Sequence, residues 1–151
     1  MKIYVERIPE EGLLLEGEEP PQIIDIEESQ EKFKENILVE IRAYKVSGNL
    51  IVVGSLSTHV QLICSRCLEQ FSYLIDDKHF SYDCEILGRD IIDLTDPIRE
   101  DMIIGLPIRP LCREDCKGLC SQCAQNLNLG ECGCQKSSES GGPFSVLGDY
   151  F

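Results

Sequence analysis

The sequence predicts an α+β fold: mainly antiparallel β-sheet, or a partly open barrel, with one short helix and a cysteine-rich zinc-binding segment near the C-terminus. Three observations predict it. Two long runs of alternating apolar and polar residues flank a turn signal at Ser47-Gly48-Asn49. One proline-bounded stretch, Asp93 to Pro107, carries residues that start and stop a helix. Six cysteines then crowd between Cys112 and Cys134, where hydrophobic periodicity has ended.

At 151 residues, 42% of them hydrophobic, the chain is long enough for one ordinary core with an appendage. Lys2 to Ile8 alternates like a strand. Glu16 to Pro21 reads as an acidic loop, stopped by two prolines that cannot join a ladder. Ile37 to Val46 places Ile37, Val39, Ile41 and Ala43 on one face and Glu40, Arg42 and Tyr44 on the other, which is a strand with one solvated side. Ser47-Gly48-Asn49 tolerates positive backbone angles, so Leu50 to Ile63 should return as a hairpin partner and deliver Cys64 and Cys67 at its end. Phe71 to Ile86, rich in β-forming residues, should return antiparallel with a turn near Asp76-Asp77. Only antiparallel pairing suits connections this short.

The helix is expected from about Asp96 to Leu106. Thr95 or Asp96 can cap it, Pro97 suits its first turn, Glu100 and Asp101 favour its positive end, and Pro107 stops it. Ile98, Met102, Ile103 and Leu106 should face the sheet. After Pro110 residues 112–136 have too little apolar pattern to build a core and should depend on metal. The division is therefore a β domain over 1–111 and a zinc-binding segment over 112–136 that shares ligands with 64–67. Residues 137–151 follow as a polar linker and an apolar tail, Pro143-Phe-Ser-Val-Leu147, that could dock back. No internal repeat is evident.

Fourteen Lys and Arg against 27 Asp and Glu give a formal charge of −13, which opposes nonspecific attraction to a phosphate backbone and favours a basic partner. The charge is uneven: residues 1–40 hold twelve acidic and four basic side chains, for −8, whereas residues 99–151 hold seven and five, for −2. The basic groups there are Arg99, Arg109, Arg113, Lys117 and Lys136, so RNA contact is conceivable through residues 109–136. A solvated run that keeps the protein soluble explains the acidic front equally well. The start lacks the uninterrupted apolar stretch of a secretory signal, and no segment approaches a membrane span, so a cytoplasmic location is expected. Thiols stay reduced there, which makes nine cysteines better metal ligands than a disulfide framework.

Zinc favours four soft ligands in a tetrahedron, and a two-residue gap lets a tight turn aim two sulfurs at one ion. Cys120-Ser-Gln-Cys123 is such a knuckle. Cys132-Gly-Cys134 can supply the other two ligands, because Gly133 permits a sharp backbone. Asn126 to Gly130 joins the halves. Cys112 and Cys116 remain, and with the upstream knuckle Cys64-Ser-Arg-Cys67 they make a second set of four. The grouping is open: Cys112 or Cys116 could instead join the Cys120 knuckle, giving one ion rather than two. A fully thiolate-bound zinc leaves no position for water, and no His or Glu has catalytic spacing, so the role is structural and no catalytic residue is assigned.

Duller readings exist for each element. Cys64 and Cys67 could be a redox dithiol, but such pairs sit at helix N-termini and these end a hairpin. The spacing matches neither ferredoxin pattern, which disfavours an iron–sulfur cluster. Cys84 reads as a packed thiol, and His59 and His79, far apart in strand-like runs, read as packing or surface residues rather than ligands.

Several segments together resemble the YceD family, the large ribosomal RNA subunit accumulation proteins. They are Cys64-Ser-Arg-Cys67-Leu68, then Arg99 to Cys112 with its Gly-Leu-Pro-Ile-Arg-Pro-Leu-Cys end. Arg113-Glu-Asp-Cys-Lys-Gly-Leu-Cys-Ser-Gln-Cys-Ala-Gln-Asn-Leu-Asn128 and Pro143 to Leu147 complete the set. Ala124 stands where glycine is expected after the knuckle, and residues 1–60 are similar only in strand pattern. The resemblance implies a role in making or stabilising large-subunit ribosomal RNA, with no established enzymatic activity. The expected partner is a large-subunit precursor or a basic ribosomal protein or assembly factor, with no membrane and no small-molecule substrate. The competing class is a cytosolic dithiol or zinc-responsive regulator switched at Cys64 and Cys67. A hydrolase is more distant, since nothing resembles a nuclease carboxylate cluster.

Overall fold

A computed structural model describes residues 1–24 and 32–134. Its centre is the hairpin of β4 (Ile37–Val46) and β5 (Asn49–Ile63). Ser47 and Gly48, at φ 50° and 87°, supply the positive pair that a two-residue turn needs to match strand twist. The register runs from Val46 opposite Asn49 to Leu38 opposite Ser57. It buries Ile37, Val39, Ile41 and Ala43 on one face and leaves Glu40 and Arg42 exposed on the other, as the alternation predicts.

Three further strands complete this antiparallel sheet: β2 (Leu13–Glu19) along β4, β6 (Gln70–Glu85) along β5, and the short β3 (Lys32–Phe33). β3 and β4 lie along one side of β5, and β6 along the other. Among the described residues no pairing joins β2 to β6, so the sheet is not closed into a barrel. A separate two-stranded ribbon pairs β1 (Lys2–Tyr4) with β7 (Ile91–Asp93).

Two expectations fail here. Glu16 to Glu19 is not a loop but the second half of β2, with Leu15 opposite Ile41 and Glu16 opposite Glu40. Leu13 and Leu15 point inward, so Glu16 and Glu18 fall on the solvated side of an edge strand, where charge is tolerated, while Glu19, on the inner side, pairs with the Met1 ammonium. The prolines end that strand, and Pro21–Ile24 forms a 3-10 turn. There is also no chain reversal at Asp76-Asp77. β6 runs on through it, and the register shifts from Gly54 opposite Phe80 to Leu56 opposite Asp77, so Ser55 faces both Lys78 and His79. The polar run is turn chemistry used for a bulge, closed by the His79 N–H donating to Asp77 Oδ1 at 3.0 Å.

The helix α1 spans Thr95–Ile104, starting one residue earlier and ending two residues earlier than read. Neither Thr95 nor Asp96 is its N-cap. Leu94 holds that position, and Asp93 Oδ1 accepts from the Thr95 N–H and hydroxyl at 3.0 and 2.6 Å. Ile98 and Met102 are buried against the sheet and Leu106 packs on the core, but Ile103 is exposed. The helix stops at Gly105, before Pro107, where a Cβ would stand 2.8 Å from Ile75 Cγ2. Ile3, Val5, Ile8 and Ile24 close one core with the inner faces of β4, β5 and β6. The linker 137–142, Pro143 to Leu147 and Lys136 lie outside the described residues. Among the described residues no helix is long and apolar enough to cross a membrane.

Candidate metal centres

Long β5 ends at Ile63, and the chain turns at once through Cys64 to Cys67. The turn is fixed by its own backbone: Leu68 N–H donates to Cys64 O at 3.0 Å, and Cys64 N–H donates to Glu69 O at 2.9 Å. Leu68 completes it at φ 60°. The second knuckle repeats this bond for bond, with Ala124 N–H to Cys120 O at 2.9 Å and Cys120 N–H to Gln125 O at 2.8 Å. Ala124 sits at φ 57°, which explains why glycine is the expected residue there.

Beyond α1 the chain returns to the first knuckle. Ser65 N–H donates to Pro110 O at 2.8 Å, and the Arg66 guanidinium donates to Glu114 O and Cys116 O at 3.2 and 2.9 Å. These bonds bring together Cys64, Cys67, Cys112 and Cys116, whose sulfurs all lie within 4.8 Å of one another. Cys64 and Cys116 are 3.8 Å apart and Cys67 and Cys112 are 3.7 Å apart. Cys120, Cys123, Cys132 and Cys134 form a second such group. The first is largely buried among Phe71, Leu111 and Leu119, whereas the second is half-exposed.

These distances can be compared with the size of a zinc site. Four sulfurs bound at about 2.3 Å around a tetrahedral zinc stand about 3.8 Å apart, whereas a disulfide needs about 2.05 Å. The spacings in the first group therefore fit one tetrahedral zinc that Cys64, Cys67, Cys112 and Cys116 could hold, and Cys120, Cys123, Cys132 and Cys134, the same donor set with sulfurs within 4.8 Å, could hold a second.

The electrostatics point the same way. Burial opposes the Cys64 thiolate, but backbone hydrogen bonds from Cys112, Cys67 and Arg66 outweigh it and bring the thiol down to about 6. Burial and the neighbouring Cys67 and Cys116 sulfurs push Cys112 up to about 12. In the second group the Cys123 and Gln122 backbones bring Cys120 down to about 6, while Cys123 and burial push Cys134 up to about 12. One thiolate in each group makes the next costly, and a divalent cation removes that cost.

Sequence reasoning missed the residue between the two groups. Asn128, in the loop of the second, donates from Nδ2 to Cys116 Sγ at 3.3 Å in the first, and its Oδ1 accepts from Lys117 N–H at 2.8 Å. Asn126 Oδ1 holds it by accepting from both its N–H and its amide, at 2.9 and 2.8 Å. The Asn-Leu-Asn run was the available signal, but nothing in its spacing points at a sulfur twelve residues back. Cys84 stands apart, half-buried against the core. His59 contacts Glu35 Oε2 at 3.0 Å, and neither it nor His79 lies in a cysteine group.

Comparison with known proteins places this half of the chain. The chain is 31% identical over 104 residues to an uncharacterized protein of Mycobacterium tuberculosis (strain ATCC 25618 / H37Rv), covering 59% of this chain and 50% of that one. An uncharacterized protein of Mycobacterium leprae (strain TN) is 28% identical over 106 residues, covering 60% and 49%. The chain thus spans about half the length of the curated relatives it matches. No solved structure matches. The family model described as large ribosomal RNA subunit accumulation protein YceD matches residues 77–150, and it is the family that the chain's cysteine motifs resemble.

Proposed function

We propose that this chain is a non-enzymatic factor, working in the cytoplasm, that supports accumulation or maturation of large-subunit ribosomal RNA by binding a precursor particle, a basic ribosomal protein or an assembly factor. The single observation that carries the reading is the family match over residues 77–150. Its two groups of four cysteines each hold a structural zinc on this reading. Four thiolates fill a tetrahedron and leave no position for substrate or water, which supports a scaffold rather than a catalyst.

The surface chemistry favours protein over naked RNA, since −13 repels phosphate. Of the basic groups near the cysteines, Arg113 is turned to Asp115 at 3.5 Å and the Arg66 guanidinium is bound to backbone carbonyls. Arg109 and Lys117 remain exposed for any RNA contact. A dithiol switch is disfavoured because Cys64 and Cys67 are only 0% and 3% exposed, out of reach of an attacking thiol. The test has two parts. Elemental analysis of the purified chain should find two zincs, and the tagged chain should cosediment with large-subunit precursors at low salt. A chain that neither cosediments nor retains a basic ribosomal protein sinks the reading.

A further inference from the structure

We propose that the outer face of the five-stranded sheet is a docking face for a lysine- and arginine-rich polypeptide segment with apolar side chains between its charges. This deepens the function proposed above by placing its protein contact on named strands. The inner face is consumed by the core, whereas the outer one carries exposed apolar and acidic side chains between β2 and β5. Register assembles it from three strands: Leu14, Glu16 and Glu18 of β2, Leu38, Glu40 and Arg42 of β4, and Val53, Ser55 and Ser57 of β5.

Three observations agree on its occupant. Glu16 stands directly opposite Glu40 across the β2–β4 pair, and among the described residues no ion pair neutralises either. Like charges in directly opposed positions destabilise a sheet, so this pair weakens the fold unless a cation arrives between them. Apolar side chains interleave with the acids: Leu14, Leu38 and Val53 are 47%, 53% and 39% exposed. The small residues Ser55 and Ser57 leave a trough there. Two adjoining grooves of about 510 and 480 Å³ meet at Glu40 and Ser55. The cations at the trough are Arg42, and Lys78 at the bulge, which already meets Asp76 at 3.3 Å.

The pattern selects among occupants by charge. A nucleic acid is repelled by the glutamates, and a second copy of a chain carrying −13 is repelled as a whole. A basic, partly apolar polypeptide meets both the acids and the leucines.

The probe is a labelled synthetic peptide of lysine alternating with valine and threonine, with a glutamine-for-lysine counterpart, followed by fluorescence anisotropy against the full chain. The expected result is binding of the lysine peptide alone. The triple variant Glu16→Gln, Glu18→Gln and Glu40→Gln should weaken it at least about tenfold. A control of equal net charge outside the three strands, Glu6→Gln, Glu10→Gln and Glu11→Gln, should weaken it less than about twofold, because exposed charges off the face are screened by salt. Leu38→Ser should weaken it while leaving charge unchanged, and the circular dichroism melt of every variant shows that it still folds. Equal loss in both triple variants overturns the proposal, as does no binding, or light scattering that reports a dimer abolished by Leu38→Ser. Cosedimentation with ribosomal precursors is scored separately. If it persists while peptide binding fails, this face is wrong and the proposed function stands; the converse removes the ribosomal reading alone.

Discussion

Replacing Cys116 by serine separates the two cysteine groups energetically. Cys116 is 3% exposed and lies 52 positions from Cys64, its neighbour across the first group at 3.8 Å. An ion shared by these residues closes a long loop between the end of β5 and the segment after α1. Treated as a covalent crosslink, closing 52 residues removes about 4 kcal/mol of denatured-state entropy. A hydroxyl is a poor ligand for a zinc that prefers thiolate, so most of that constraint should vanish. For a chain of this size about 4 kcal/mol corresponds to a fall in melting temperature of about 12 °C. Cys134→Ser removes a ligand from the half-exposed second group, which spans Cys120 to Cys134 and lies outside the main core. It should lower the melting of the β-sheet by less than about 3 °C while freeing a similar amount of metal. Far-UV circular dichroism melts with elemental zinc counts decide the matter. The reasoning is refuted if Cys116→Ser keeps two zincs, if it melts within a few degrees of the parent, or if Cys134→Ser costs as much.

Four further outcomes are expected. Ala124→Gly relieves a left-handed alanine at φ 57°, and after glycine's own entropy cost it should stabilise by about 0.5 kcal/mol in a denaturant titration. Asn128→Ala removes the only described side-chain N–H donor to Cys116 Sγ and should weaken zinc at the first group by about 10- to 100-fold in a chelator competition, sparing the second. Gly54→Ala should destabilise by about 3 kcal/mol, because its Cβ would meet Glu40 O at 2.1 Å and the β4 backbone cannot easily yield; a native-like urea midpoint would contradict this. Asp101 is raised to about 6 by burial and then by Asp77 beside it. The stability of its protonated form is full below the ordinary value of 3.8 and is lost as pH rises through about 6. Asp101→Asn, which can donate to the unpartnered Asp77 Oδ2, should therefore stabilise the chain at pH 7 by about 1 kcal/mol, discounted for partial exposure, and flatten the profile between those limits.

The parts of the fold legible from sequence are those that a local pattern specifies. The β4–β5 hairpin announces itself by strict alternation around Ser47-Gly48, and both knuckles by their two-residue gaps. Elements defined by a distant partner were not legible. β7 is three residues long and exists because β1 lies beside it, and Glu16 to Glu19 becomes strand because Leu15 finds Ile41. Asp76-Asp77 carries turn chemistry, yet a straight partner in β5 turns it into a bulge. The same logic holds at the cysteines. Spacing groups each knuckle with itself, but Asn128 spans from one group to the sulfur of the other, a contact between loops that no periodicity encodes.

That contact changes what the cysteine-rich end can do. A free tip carrying Cys120 to Cys134 could reorient toward a partner, but Asn128 ties its loop to Cys116, Leu127 N–H donates to Gly118 O, and Leu119 N–H donates to Arg66 O. The two groups form one unit, fastened through the first knuckle to the end of β5. Zinc would not make that unit electropositive. A divalent ion with four thiolates carries −2, so two of them take the formal charge from −13 to −17. A metal so bound would organise backbone beside the exposed Arg109 and Lys117 without adding attraction for phosphate. On the function proposed above, an acidic chain of this kind would gain affinity for an RNA-rich particle through the particle's basic proteins. On that reading the cysteine unit supplies rigidity and the outer sheet face, with Glu16 and Glu40 held in opposition, supplies the charge.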